Sequence, residues 1–138
     1  MRELLTFSTE SLVVRPWPDE PTARRGFDPR SPYVEEFWLG ILGPSATWLL
    51  RRMAAAFDES PEGFDMPMTE TALLLGLGDR GGRNSPFFRT LNRLVQFDMA
   101  RPAGPAVMEV RRRLPPLSRR HLARLPFATQ QAHERWVG

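Results

Sequence analysis

The sequence predicts an α+β fold, mainly α with one small β-hairpin, carrying an N-terminal arm and extra C-terminal helices. Three observations lead there. In several segments apolar residues recur three and four positions apart, the spacing of a buried helix face. Residues 99–111 instead read as strand, turn, strand, with Pro102, Gly104 and Pro105 at the tip. Before residue 30 the chain is broken by Pro16, Pro18, Pro21 and Pro29, a density that opposes both helix and central strand.

Taken in order, residues 1–30 form the arm. Two short apolar runs, Leu4 to Phe7 and Leu12 to Val14, have strand character. The arm either packs on the domain or a partner, or stays mobile. Ser31-Pro32 then supplies a hydroxyl N-cap and a proline for the first turn of a helix from Tyr33 to Leu39. Gly40 and Gly43-Pro44 interrupt it. A second helix is predicted from Pro44 to Phe57, where Ala46, Leu49, Leu50, Met53, Ala54 and Phe57 mark one apolar face. An acidic loop, residues 58–63, leads to a very short edge strand in which Phe64, Met66 and Met68 alternate with Asp65 and Pro67.

Thr69 is expected to cap a third helix, residues 70–75, which Gly76 ends. After a glycine-rich loop, Ser85-Pro86 starts a fourth helix to Phe97. Phe87, Phe88, Leu91, Leu94 and Val95 form its inner stripe, while Arg89, Asn92, Arg93 and Gln96 fall on another face. The hairpin follows and ends at Leu114-Pro115-Pro116-Leu117. Ser118 caps a helix to Leu125, and Pro126 starts another that ends near Trp136. The organisation is therefore an arm over 1–30, a domain over 31–113 and a helical extension over 114–138.

Composition narrows the function classes. The chain of 138 residues has no cysteine, which removes disulfides, thiolate metal sites and cysteine nucleophiles together. It shows neither the apolar run of a signal peptide nor a stretch long enough to span a bilayer, so a soluble, cytoplasmic protein without membrane contact is expected. All 19 basic side chains are arginine. A genome rich in G and C accounts for that bias, but every cation can then bind phosphate or guanine through a planar fork. Residues 1–70 hold seven Arg and twelve acids, whereas residues 71–138 hold twelve Arg and four acids. Such asymmetry suggests a polyanion partner for the second half, or else a solvated basic face.

Helix, short strand, helix, helix, strand, tip, strand is the element order from residue 44 to 113. That order resembles the winged helix-turn-helix superfamily. The resemblance lies in residues 69–76 (TETALLLG), residues 85–94 (SPFFRTLNRL) and the hairpin from Met99. It implies that the helix at 85–97 is the recognition helix and the hairpin is the wing, with an added helix ahead of the domain. The link from Gly76 to Ser85 is longer and richer in glycine than a three- or four-residue turn. The residues themselves agree with this reading. Arg suits guanine, and Asn and Gln suit adenine, so Arg89, Asn92, Arg93 and Gln96 are assigned to the major groove, with Thr90 as a lesser candidate. Backbone N–H groups around Asn84 and Ser85 can take a phosphate, reinforced by Arg80 and Arg83. Arg101 and the run Arg111-Arg112-Arg113 flank the wing, where they would clamp phosphates or enter the minor groove. Each has a plainer reading: a solvated face for Arg89 and Arg93, ordinary surface positions for Asn92 and Gln96, pairing with Glu109 or another acid for the arginine run.

Other signals are set aside. Residues 76–81 (GLGDRG) match G-x-G-x-x-G, but a helix precedes the glycines where a dinucleotide site needs a strand. His121 and His133 lack the spacing of a metal pair, and no cofactor is expected. No Ser, His and acid combination has a nucleophile's setting. Adjacent carboxylates such as Glu35-Glu36 diverge on a helix. An enzyme is therefore not expected. Tyr33, Phe37, Trp38 and Trp48 form either core or a partner surface, and the same question applies to Leu122, Leu125 and Trp136. A transcriptional regulator that binds double-stranded DNA as a homodimer is the leading expectation. The alternatives are a protein-binding adaptor working through the arm or the aromatic cluster, and a non-specific nucleoid or replication protein.

Overall fold

A computed structural model describes residues 10–78 and 84–137. The fold is α+β: a four-stranded sheet with helices packed over one face. The strands are β1 (Ser11–Pro16), β2 (Phe64–Pro67), β3 (Ala100–Gly104) and β4 (Val107–Val110), in the order β2-β1-β4-β3. β1 pairs antiparallel with β2, Leu12 opposite Met66, and parallel with β4, Val14 opposite Met108. β3 and β4 form the hairpin.

The apolar run Leu12 to Val14 is a strand, as its composition suggests, and it packs on the domain. Residues 11–16 form an interior strand, because Leu12 and Val14 bury one face while both backbone edges find partners. The next segment, expected to resist helix, forms α1 (Glu20–Arg25). Pro21 sits in its first turn, where a missing N–H costs nothing. Phe27 and Leu114 then exchange backbone hydrogen bonds, both 2.8 Å, tying the end of this region to the exit of the hairpin.

A π-helical turn (Val34–Trp38) runs into α2 (Leu39–Leu42), so the helix passes through Gly40 and stops at Gly43. Gly43 has φ 86°, a left-handed conformation that lets α3 (Pro44–Glu59) start in a new direction. α3 buries Leu49, Leu50, Met53 and Phe57, the face its periodicity predicts. β2 enters α4 (Met68–Leu74) directly, one residue before the expected Thr69 cap. The Met68 N–H is satisfied instead by the Glu10 carbonyl at 2.9 Å. α4 ends where Leu77 N–H reaches the Ala72 carbonyl and Gly76 N–H the Leu73 carbonyl, with φ 75° at Gly76. The resemblance-based sites Arg80 and Arg83 lie outside the described residues.

α5 (Pro86–Gln96) buries Phe87, Leu91 and Leu94 against α3 and the sheet. In the hairpin the strands run through Pro102 to Gly104, and the tip falls at Pro105 and Ala106 rather than at 102–105. β3 is an edge strand, which tolerates Pro102. α6 (Arg119–Leu122) is capped by the Ser118 hydroxyl, and α7 (Phe127–Val137) closes the chain over the π-helical turn. There the Tyr33 hydroxyl lies 2.7 Å from His133 Nε2 and accepts the Leu117 N–H at 2.9 Å. Burial pushes the Tyr33 hydroxyl pKa up, against the opposing pull of that N–H. Tyr33, Phe37 and Trp38 are core, whereas Trp48 and Trp136 remain exposed. No helix among the described residues is long and apolar enough to cross a membrane.

Candidate nucleic-acid interface

α5 begins with a side-chain cap. Ser85 is buried, and its hydroxyl accepts the Phe88 N–H at 3.1 Å, fixing the first turn. Thr90 is also buried, with its hydroxyl donating to the Pro86 carbonyl at 2.9 Å, so it is turned away from any ligand. Asn92 is half-buried, and its Oδ1 is enclosed without a hydrogen-bond partner. Arg89, Arg93 and Gln96 are exposed and follow one another at four- and three-residue spacing. Of the candidate base-reading set, these three share the open stripe of the helix.

Each of the two arginines is anchored by one nitrogen. Arg89 Nη1 donates to the Asn84 carbonyl at 2.8 Å, and Arg93 Nη2 donates to the Ile41 carbonyl at 2.9 Å. The Arg93 guanidinium also lies 5.4 Å from the Phe97 ring centroid. A guanidinium has five N–H donors, so one anchor orients the group and leaves most of its donors for a partner. Both arginines border a shallow hollow of about 370 Å³ against Ser45 and the start of α3. Asn84, just before the cap, is exposed.

The wing arginines behave differently. Arg101 pairs with Glu109 at 2.6 Å and lies 4.5 Å from the Trp17 centroid. Arg111 covers the same ring at 4.0 Å, donates to the Asp98 carbonyl at 2.6 Å and pairs with Asp19. Its guanidinium holds the Asp19 carboxyl below the usual carboxylate range. Arg112 reaches Asp58 at 3.4 Å over the Phe57 ring, and Arg113 donates to the Gly26 carbonyl at 2.8 Å. Within the run, Arg111 and Arg112 pair with an acid, which is the plainer of its two readings, and Glu109 is taken by Arg101.

Sequence reasoning missed Trp17, the ring between Arg101 and Arg111. It looked like a residue of a broken arm, and only the sheet order puts it beside the wing. Arg119 and Arg120 on α6 and Arg124 just beyond it were also passed over. They are exposed and without an ion pair among the described residues. α6 sits at the end of α5, since His121 packs 5.4 Å from Phe97. His121 and His133 are held apart, the first against Phe97 and Trp38 and the second against Tyr33. Among the described residues no cluster of three His, Asp or Glu side chains could hold a metal ion. No family model, curated protein or solved structure matches the chain.

Proposed function

We propose that the protein binds double-stranded DNA as a cytoplasmic, nucleoid-associated transcriptional regulator of winged helix-turn-helix type, acting as a homodimer. The observation that carries this reading is the open stripe of α5, where Arg89, Arg93 and Gln96 project from a helix whose opposite face is locked into the core. A helix so arranged has the diameter and polarity to enter a major groove. The element order α3-β2-α4-α5-β3-β4 supports the winged-helix reading, with β1 added between β2 and the hairpin. In this reading α5 reads bases, while Arg119 and Arg120 extend the basic surface past its end. The wing arginines contribute less, because their guanidinium groups already serve the fold.

The test is a fluorescence-anisotropy titration of random-sequence duplex across a salt series, beside Arg89→Ala/Arg93→Ala. The wild type is expected to bind at low salt and weaken steeply as salt rises, and the double variant to bind more weakly at low salt and to lose preference among duplex sequences. No binding even at low salt would refute the proposal. Competition between random and selected duplex then separates a regulator from a non-specific packaging protein, since specific sites gain about 10³-fold or more.

A further inference from the structure

A groove of about 520 Å³ lies between α3 and the end of α4. α3 contributes Trp48, Arg51 and Arg52, and the end of α4 contributes Leu74 and Leu75. Arg30 and the first residues of α3, Pro44 and Ser45, also line it, and no carboxylate among the described residues does. Small-ligand pockets of roughly 300–1,000 Å³ combine apolar walls with a few convergent polar groups in this way.

The charges decide what fits. Arg30 donates to Asp28 at 2.9 Å and to Asp58 at 2.8 Å, so the protein itself answers its charge. Arg51 and Arg52 make no ion pair and no side-chain hydrogen bond among the described residues. Arg51 lies 4.7 Å from the Trp48 ring centroid, with its Nε enclosed and without a hydrogen-bond partner. Arg52 is exposed and sits one helical turn beyond Trp48, about 6 Å along α3. Trp48 is itself 55% exposed. An open indole offers a stacking face to a planar ring, and unpaired guanidinium groups suit an anion with several oxygens. Ring and charge fall about one turn apart, so a ligand that meets both needs a spacer between them. A base, its sugar and a phosphate have that arrangement. Inorganic phosphate lacks the ring, and a duplex keeps its bases stacked inside.

We infer that the α3–α4 groove is a binding site for a nucleoside phosphate, with the base against Trp48 and Leu74 and the phosphate held by Arg51 and Arg52. The groove shares Pro44 and Ser45 with the hollow beside Arg89 and Arg93. The nucleotide contacts use neither of those arginines, so the site is separate from the α5 stripe and is tested without DNA.

Isothermal titration calorimetry of the full chain with adenosine monophosphate and with guanosine monophosphate measures it, beside inorganic phosphate and adenosine alone. At least one monophosphate is expected to bind with a dissociation constant of about 1 mM or tighter, and phosphate or adenosine alone about tenfold more weakly. Trp48→Ala and Arg52→Ala, both at exposed positions, are each expected to weaken the monophosphate by about tenfold. Far-UV circular dichroism checks that these variants fold. Arg89→Ala/Arg93→Ala is expected to leave nucleotide binding unchanged, whatever it does to DNA. Failure of both monophosphates to bind at millimolar concentration would overturn the inference. So would inorganic phosphate binding as tightly as the nucleotide, an affinity that ignores both groove substitutions, or an oligoglutamate peptide that binds more tightly than either monophosphate.

Discussion

The arginines of the hairpin and those of α5 are chemically identical and lie in the same basic half of the chain, yet the fold uses them differently. On the hairpin side, Arg101 and Arg111 enclose Trp17 and pair with Glu109 and Asp19, and Arg113 closes on a backbone carbonyl. On α5, Arg89 and Arg93 each take one carbonyl and stay exposed. Charge counted along a sequence therefore overstates the charge offered to a partner. The available part depends on how many donors the chain itself has already engaged.

Truncating the most engaged arginine breaks this contrast hardest. Arg111→Ala removes a charged hydrogen bond to the Asp98 carbonyl and a cation over Trp17. It is expected to cost about 2–3 kcal/mol in urea unfolding, and to change DNA affinity little in any variant that remains folded. Arg89→Ala/Arg93→Ala is the reverse case. Stability is expected to change by less than about 1 kcal/mol, while affinity for duplex at low salt falls about tenfold or more. Equal losses of stability from the two variants would erase the distinction. Arg101→Ala gives up an exposed pair with Glu109 and is expected to cost about 0.5 kcal/mol.

The smallest effect is in acid. The Arg111 side chain lowers Asp19, and the Arg30 side chain lowers Asp28, from the ordinary value of 3.8. A carboxyl lowered in the folded state contributes its stability in full above 3.8 and loses it as pH falls through the folded value. Acid titration followed by circular dichroism should show this loss only below pH 3.8. In Arg111→Ala the Asp19 share is absent, so the remaining fall is shallower.

The helices were legible where one local rule governed them. Ser85-Pro86 and Ser118 cap as their residue types suggest, and the stripe of α3 follows its period. Misreadings arose where the position within an element or a distant partner decided. Pro21 counts as a breaker in isolation but is harmless in the first turn of α1. Thr69 has the chemistry of a cap, yet the Glu10 carbonyl had already satisfied the start of α4 one residue earlier. The site was partly legible for the same reason. Periodicity separates Arg89, Arg93 and Gln96 from the core side of α5, but it cannot foresee that Thr90 turns its hydroxyl back to Pro86. Nor does it reveal the arginine–tryptophan stack, which requires β1 to lie beside β4.

The position of β1 also affects the protein repeatedly, each time it is made. Val13 pairs with Val107, so a strand from the start of the chain waits for one near its end. Contacts of such long sequence separation slow folding, because loop closure is costly before the pairing rewards it. On the ribosome, residues 11–16 emerge long before their neighbours in β4, so even after β2 covers one edge the other stays open. Synthesis past residue 110 is therefore the event that commits the sheet. A nascent chain stalled before that point would hold β1 and β2 without β4, and would also lack α6 and α7.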